Sequence, residues 1–260
     1  MKVISLNANG IRASARKGCY EWLQQEQADI VCIQETKAQM AQLQVDPCYF
    51  PQGYHCAYFD ALKKGYSGVA IYARESPLNI IKSFGCEYCD SEGRYLQFDF
   101  PTLSVISLYL PSGTSGGLRQ AVKYRVLEAI TQQLLALRAS KKDIIICGDF
   151  NIAHHPIDLK NWRNNQTNSG FLPEERAWLD HVLGPLGYVD AFRVLNKEPD
   201  EYTWWSQRGQ ARANNVGWRI DYQVISPGLV DKLRSVAIYR DTQLSDHAPL
   251  VMTYEGISLC

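Results

Sequence analysis

The sequence predicts an α/β sandwich built on mixed β-sheets. Three observations carry this reading. Apolar runs of strand length alternate with segments of helical period, but not in the strict strand–helix–strand order of a parallel sheet. Several strands follow one another across turn residues, which suits antiparallel pairing. No linker, low-complexity tract or charge block interrupts the chain, so a single domain over residues 1–260 is expected.

Residues 2–6 are a short β-prone run that ends at Asn7-Ala8-Asn9-Gly10. Residues 18–25 carry Tyr20 and Leu23 at helical spacing, with Cys19 and Trp22 beside them. Residues 29–34 are continuously apolar, as in a strand buried on both faces, and stop at Glu35-Thr36-Lys37. A further strand over 69–72 follows the turn Gly65-Tyr66-Ser67-Gly68. Residues 95–100 alternate, and 103–110 form a longer apolar strand halted by Pro111. Val126, Leu127, Ile130, Leu134 and Leu137 share one face of a helix over 124–137. Residues 143–147 are a buried strand running into Gly148-Asp149-Phe150-Asn151, and a polar stretch over 154–170 follows. Residues 173–183 read as a helix with two acids near its start, where the dipole favours them. Residues 202–205, 219–225 and 248–254 are further strands. The halves of the chain look roughly symmetric, each with an early strand ending in Asn (Asn7 and Asn151).

Charge narrows the partners. Lys+Arg and Asp+Glu number 27 each, so the formal net charge is zero. With 46% hydrophobic and 21% charged residues, disordered, collagen-like and coiled-coil chains are excluded. A wholly basic character is absent, so any nucleic-acid function must rest on a local patch. Of the eight cysteines, Cys32 and Cys147 lie in apolar runs and Cys86/Cys89 is the only close pair, which reads as reduced thiols. Neither a signal peptide nor a run of ~20 apolar residues occurs, so a cytoplasmic protein without membrane contact is expected.

Polar groups collect where the apolar runs end. Asn7, Glu35, Tyr109, Asp149, Asn151, Asp221 and the Asp246-His247 pair each lie at or near such an edge. Open α/β sheets bind ligands outside their strand ends, so separate strands can deliver these side chains to one place. Asn and Asp also end strands simply because they favour turns, but Glu35 is no turn former. An oxygen-rich set of Glu, Asp and Asn suits a hard cation such as Mg²⁺. A carboxylate orienting His247 would fix its tautomer and stabilise its cation. Hydrolysis by activated water is the natural class, since phosphate-loop, kinase and nucleophile-elbow signatures are missing. Residues 204–219 hold three Arg, three Trp and no acid, which suits an unstacked nucleotide and its phosphates. Asn161, Arg163, Asn164, Asn165 and Asn168 add phosphate-contact donors. The Arg of the 204–219 segment, with Lys37 and Arg163, are expected to share one face with the acidic site.

LNANGIRA, DIVCIQETK, GYSGVAIY, EGRYL, SLYLPSG, IICGDFNIAH, NSGFLPEER, NNVGWRIDY and LSDHAPL together span residues 7–250. With these segments the sequence resembles the exonuclease III-type abasic-site endonucleases of the endonuclease/exonuclease/phosphatase superfamily. The resemblance implies a deoxyribonuclease-like, four-layer αββα sandwich with its site at one end of two packed sheets. It implies Mg²⁺-dependent hydrolysis 5′ to abasic sites in double-stranded DNA, leaving a 3′-hydroxyl, with Mn²⁺ able to substitute. Removal of 3′-blocking groups and of 3′ nucleotides is the implied side activity; nothing in the sequence calls for more than a monomer. Glu35 would bind the metal, with Asn7 and Asp246 close to it. Asp149 would orient or deprotonate water, Asn151 would position the water or the phosphate, and Tyr109 would contact the phosphate or the departing oxygen. His247, oriented by Asp221, would hold a phosphate oxygen. Trp204, Trp218 and Ile220 match a pocket for the base-less sugar; Asn165 and Asn168 match phosphate- and water-positioning asparagines. Tyr66 and Lys37 match DNA-contacting or site-supporting positions. Three places depart from the pattern. Asn9 stands where some relatives carry Asp. Gln207-Arg208 replace an aromatic and Met wedge, so Arg208 would enter DNA by stacking and charge. Ser115 stands where some relatives place a DNA-inserting Arg. Rival readings are a 3′-phosphodiesterase or exonuclease of the same fold with weak abasic-site incision, a lipid-phosphate or sphingomyelin phosphodiesterase and a non-catalytic nucleic-acid binder.

Overall fold

A computed structural model describes residues 1–114 and 116–260; Ser115 lies outside the described residues. One six-stranded sheet holds β1 (Lys2–Asn7), β2 (Ile30–Gln34), β3 (His55–Phe59), β4 (Val69–Ala73), β13 (Leu233–Ile238) and β14 (Leu250–Tyr254), in the order β13-β14-β1-β2-β4-β3. The second holds β5 (Asn79–Ile81), β6 (Tyr95–Asp99), β7 (Leu103–Tyr109), β8 (Asp143–Asp149), β9 (Val189–Asp190) and β12 (Asp221–Ile225), in the order β5-β6-β7-β8-β12-β9. A short ribbon pairs β10 (Trp204–Trp205) with β11 (Gly217–Trp218). Both large sheets are mixed: β1 runs parallel to β2 and β7 to β8, and their other pairings are antiparallel.

The period-2 rule explains the layering. In β2, Ile30 and Cys32 face the space between the sheets, while Val31 and Ile33 face outward onto Cys19, Trp22 and Leu23 of the helix Cys19–Glu26. In β8, Ile145 and Cys147 point between the sheets. Ile144 and Ile146 pack with Val126, Ile130 and Leu134 of Gly117–Ala139 and Leu179 and Val182 of Pro173–Leu183. Central strands therefore bury both faces and read as unbroken apolar runs. The result is four layers, helix–sheet–sheet–helices, as expected.

Some expectations need correcting. The long helix begins at Gly117, not Tyr124, because Leu118 and Ala121 of its first turns are exposed and the one fully buried position there is a lysine, Lys123, which leaves no apolar stripe. β3, β5, β9 and β13 were not foreseen. β5 and β13 are largely exposed, and β3 and β13 lie at sheet edges. The twofold relation is real in topology but pairs different strands. β1 and β2 correspond to β7 and β8, so Asn7 matches Tyr109, and Gln34 matches Asp149.

Candidate active site

Strand register brings the acids together. Asp149 lies level with Tyr109 on β7 and with Asp221 on β12, so three neighbouring strands end side by side. His247 arrives from the segment before β14, where Trp204 bridges to it. From the other sheet comes Asn7, whose amide nitrogen donates to Asp149 Oδ2 at 2.7 Å. The expectation put Asn7 beside a cation. Its amide is turned onto Asp149, and its carbonyl accepts the Asn9 N–H at 2.9 Å.

His247 sits between two carboxylates. Its Nδ1 meets Asp221 Oδ2 at 2.8 Å, and its Nε2 faces Asp149 Oδ2 at 3.9 Å. Thr203 Oγ1 donates to the same Asp221 oxygen at 2.6 Å and accepts the N–H groups of Ile220 and Asp221. Burial alone would discharge the imidazole, but Asp221, Asp149 and Asp246 outweigh it and push its pKa up to about 10. Asp149 is pushed up to about 7, first by burial and then by the charge of Asp221, against the pull of His247 and the Asn151 N–H. The pair titrates as a coupled unit, with a cationic ring at neutral pH and a carboxyl poised near neutrality.

This has a measurable consequence. The folded-state value of His247 lies above the ordinary 6.5. The protonated ring therefore stabilises the fold fully below that value, and the contribution disappears as pH climbs through about 10. In metal-free protein the His247 ring resonances should keep their protonated shifts from about pH 6 to about pH 8, and Asp221→Asn should lower the midpoint. A wild-type midpoint near 6.5 would contradict the placement of the charges.

Asn151 closes the strand end with φ 51°, a left-handed conformation that Asn tolerates. Its N–H donates to Asp149 Oδ1 at 2.8 Å, and its side-chain amide donates to Leu110 O at 2.9 Å. Glu35 also has positive φ, 54°, which costs a non-Gly, non-Asn residue energy. Neighbouring hydrogen bonds hold it there: Gly10 N–H to Glu35 O, Thr36 N–H to Gly68 O and Lys37 N–H to Ser67 O. Gly68 is required, since an added Cβ would lie 2.3 Å from Thr36 Oγ1. Lys37 Nζ rests 3.0 Å from Glu35 Oε1. Tyr109 is a neutral phenol, its pKa raised by burial and then by the charge of Glu35, with the Arg94 guanidinium 4.6 Å from its ring centroid.

These groups line a cavity of about 870 Å³. Glu35, Lys37, Tyr109, Asp149, Asn151, Asp246 and His247 form part of its wall; Trp204, Trp218, Ile220, Asn168 and Arg208 form another part. Trp204 and Trp218 meet edge to face at 6.5 Å, and Ile220 packs with them against Ala153, Leu159 and Phe171. Trp204 Nε1 also donates to Asp246 Oδ2, and Asn9 donates to Asp246 Oδ1 at 2.9 Å. Burial resists the Asp246 charge, but His247 and these donors hold its carboxyl below the usual range.

Asn165 and Tyr66 do not line the cavity. The Asn165 side-chain oxygen accepts from the Asn168 amide at 2.8 Å at the surface. The Tyr66 hydroxyl accepts from Arg94 at 3.0 Å and from Arg119 at 2.7 Å, which fits the site-supporting alternative expected for it. Arg219 is a correction. Its guanidinium is buried, bonded to Asp158 at 2.8 Å and Asp190 at 2.7 Å, and offers nothing to a ligand face. Arg212 lies over the Trp205 ring and Arg163 over Trp162. The basic side chains that line the cavity are Lys37 and Arg208, and Arg212 and Arg219 of the 204–219 stretch are not among them. The sequence reading overlooked Thr203, although it adjoins Trp204, and Arg94, although it lies inside EGRYL.

The acidic and imidazole groups here could bind a metal ion. In the trio Asp149–Asp221–His247 the ring nitrogens face the two carboxylates, and in its protonated form the ring is no ligand. Glu35 and Asp246 are the better candidates: both are carboxylates, which suit a hard cation, and an ammonium already rests on Glu35.

A base poised near neutrality beside a fixed cation is the equipment of a hydrolase that activates water. The chain belongs to the endonuclease/exonuclease/phosphatase family, whose pattern matches residues 4–247. It is 40% identical over 252 residues to the exodeoxyribonuclease of Bacillus subtilis (strain 168), covering 96% of this chain and 98% of that one. It is 37% identical over 257 residues to the DNA repair nuclease APEX1 of Danio rerio, covering 97% and 81%. The solved structure of an AP endonuclease from Archaeoglobus fulgidus superposes with a TM-score of 0.90 at 26% identity, covering 98% and 99%.

Proposed function

We propose that this chain is a DNA-repair phosphodiesterase. It hydrolyses the bond 5′ to an abasic site in duplex DNA and leaves a 3′-hydroxyl; 3′-phosphodiesterase and 3′–5′ exonuclease activities use the same centre. The observation that carries this reading is the Asp149–His247–Asp221 array opening onto a cavity walled by Trp204, Trp218 and Ile220. Asp149 takes the proton of the attacking water, and Asn7 and Asn151 hold its carboxylate still. His247 donates from Nε2 to a non-bridging phosphate oxygen as negative charge builds, with Asp221 fixing the ring. Asn151 positions water or phosphate, and the neutral Tyr109 phenol donates toward the phosphate or departing oxygen. Glu35 and Asp246 would hold Mg²⁺, or Mn²⁺ in its place. A bound divalent ion would neutralise charge on the leaving oxygen. The indole and Ile220 wall suits a sugar without a base. Lys37, Asn168 and Arg208 face the DNA backbone, with Asn165 holding the Asn168 amide and Tyr66 supporting Arg94 and Arg119. We take the working form to be a cytoplasmic monomer; among the described residues no helix is long and apolar enough to cross a membrane.

A second reading is a 3′-exonuclease with weak internal incision, favoured by the name of the Bacillus subtilis relative. Two duplexes separate them, one with an internal abasic analogue and one with a recessed 3′ end, each with Mg²⁺ and with chelator. Mg²⁺-dependent internal incision supports the first reading; degradation confined to the 3′ end supports the second.

A further inference from the structure

Behind the cavity lies a buried charge pair that the reaction scheme does not use. Lys123, on the long helix, and Glu175, on the helix Pro173–Leu183, are both fully buried, with Nζ 2.6 Å from Oε1. Each also reaches a different loop of the cavity. Lys123 Nζ donates to the main-chain oxygen of Asn151 at 2.8 Å. Glu175 Oε2 accepts the Gly170 N–H at 2.6 Å and the Leu172 N–H at 3.1 Å, and its Oε1 accepts from Gln120 and Ser169. Those loops meet closely: Ala153 N–H bonds Gly170 O, and a Cβ on Gly170 would lie 3.1 Å from Asn151 O and 3.2 Å from the Trp218 ring.

Burying an ion pair is a poor way to stabilise a fold, since apolar residues of similar size do as well or better. Its retention here has a geometric rationale. One donor fixes the loop that carries Asn151, and one acceptor fixes the loop that carries Asn168 and Gly170. We infer that Lys123 and Glu175 are positioning residues for hydrolysis: their ion pair sets the spacing between Asn151 and the Asn168–Gly170 wall. The inference rests on the role given to Asn151 above.

The test compares Glu175→Gln and the double variant Lys123→Met/Glu175→Leu with wild type. Melting, DNA dissociation constant and single-turnover cleavage rate are measured on both the abasic and the recessed 3′-end duplex. Gln keeps the size of Glu175 but loses its charge and one acceptor. The double variant removes both charges together and leaves no stranded ion. Displacement of a reacting group by about 1 Å costs ~10²-fold in rate. The double variant should therefore melt cooperatively and bind DNA within about threefold of wild type, yet cleave ~10²-fold more slowly on any substrate that wild type cleaves; Glu175→Gln should lose ~10-fold. Lys123→Arg, which keeps a donor and its charge, should recover most of the rate. A cooperatively folded variant of either kind that cleaves within about threefold of wild type overturns the inference. If the double variant does not fold, Glu175→Gln decides. If wild type cleaves only the recessed end, the abasic reading fails, while the ion pair is still tested on that end.

Discussion

Replacing His247 with Asn is expected to slow phosphodiester hydrolysis by ~10²–10⁴-fold while DNA affinity stays within about threefold. The reason is charge, not contact. The ring is cationic at neutral pH because Asp221 and Asp149 flank it, and it aims that charge at the cavity. An Asn side chain can still reach Asp221, so the fold should persist, but it brings no positive charge to an oxyanion. Single-turnover cleavage measured beside equilibrium binding separates the two effects. A variant that cleaves at near-normal rate would remove His247 from the chemistry.

Asp149→Asn is expected to cost at least as much, ~10³-fold or more in the same assay, because the proton acceptor itself is lost. The amide also cannot accept from Asn7 and Asn151 as a carboxylate does. A second signature should accompany the loss. With one of its flanking carboxylates neutralised, His247 should titrate below its value of about 10. Loss of rate without that shift would mean that Asp149 acts at a distance from the ring.

Much of this was legible in the sequence, for a physical reason. β1, β2, β7 and β8 bury both faces, so their residues form nearly continuous apolar runs in which only small serines intervene. β5 and β13 leave at least half of their residues exposed and carry no such signal. The site was visible as polar residues at strand ends, and register then placed Tyr109, Asp149 and Asp221 at one level. Contacts between distant segments were not visible. Asn7 meets Asp149 across 142 positions of chain, and no local pattern encodes that. Arg219 looked like a ligand-facing cation because Asp158 and Asp190, its partners in the core, lie far from it in sequence. The Lys123–Glu175 pair was hidden for the same reason, since its two members lie on different helices far apart in the chain. Zero net charge did not argue against a DNA substrate. Acids hold the reaction centre, and part of the positive charge, such as Arg219, is spent inside the core.

Incision of an internally abasic duplex in water labelled with heavy oxygen, followed by mass spectrometry of both fragments, tests water attack at this centre most directly. With Mg²⁺ present, the upstream fragment should end in a 3′-hydroxyl, and the abasic fragment should carry one heavy oxygen in its 5′-phosphate. An upstream fragment ending in an unsaturated 3′-aldehyde, with no label in either phosphate, would mean elimination on the sugar and would contradict hydrolysis by Asp149 and His247.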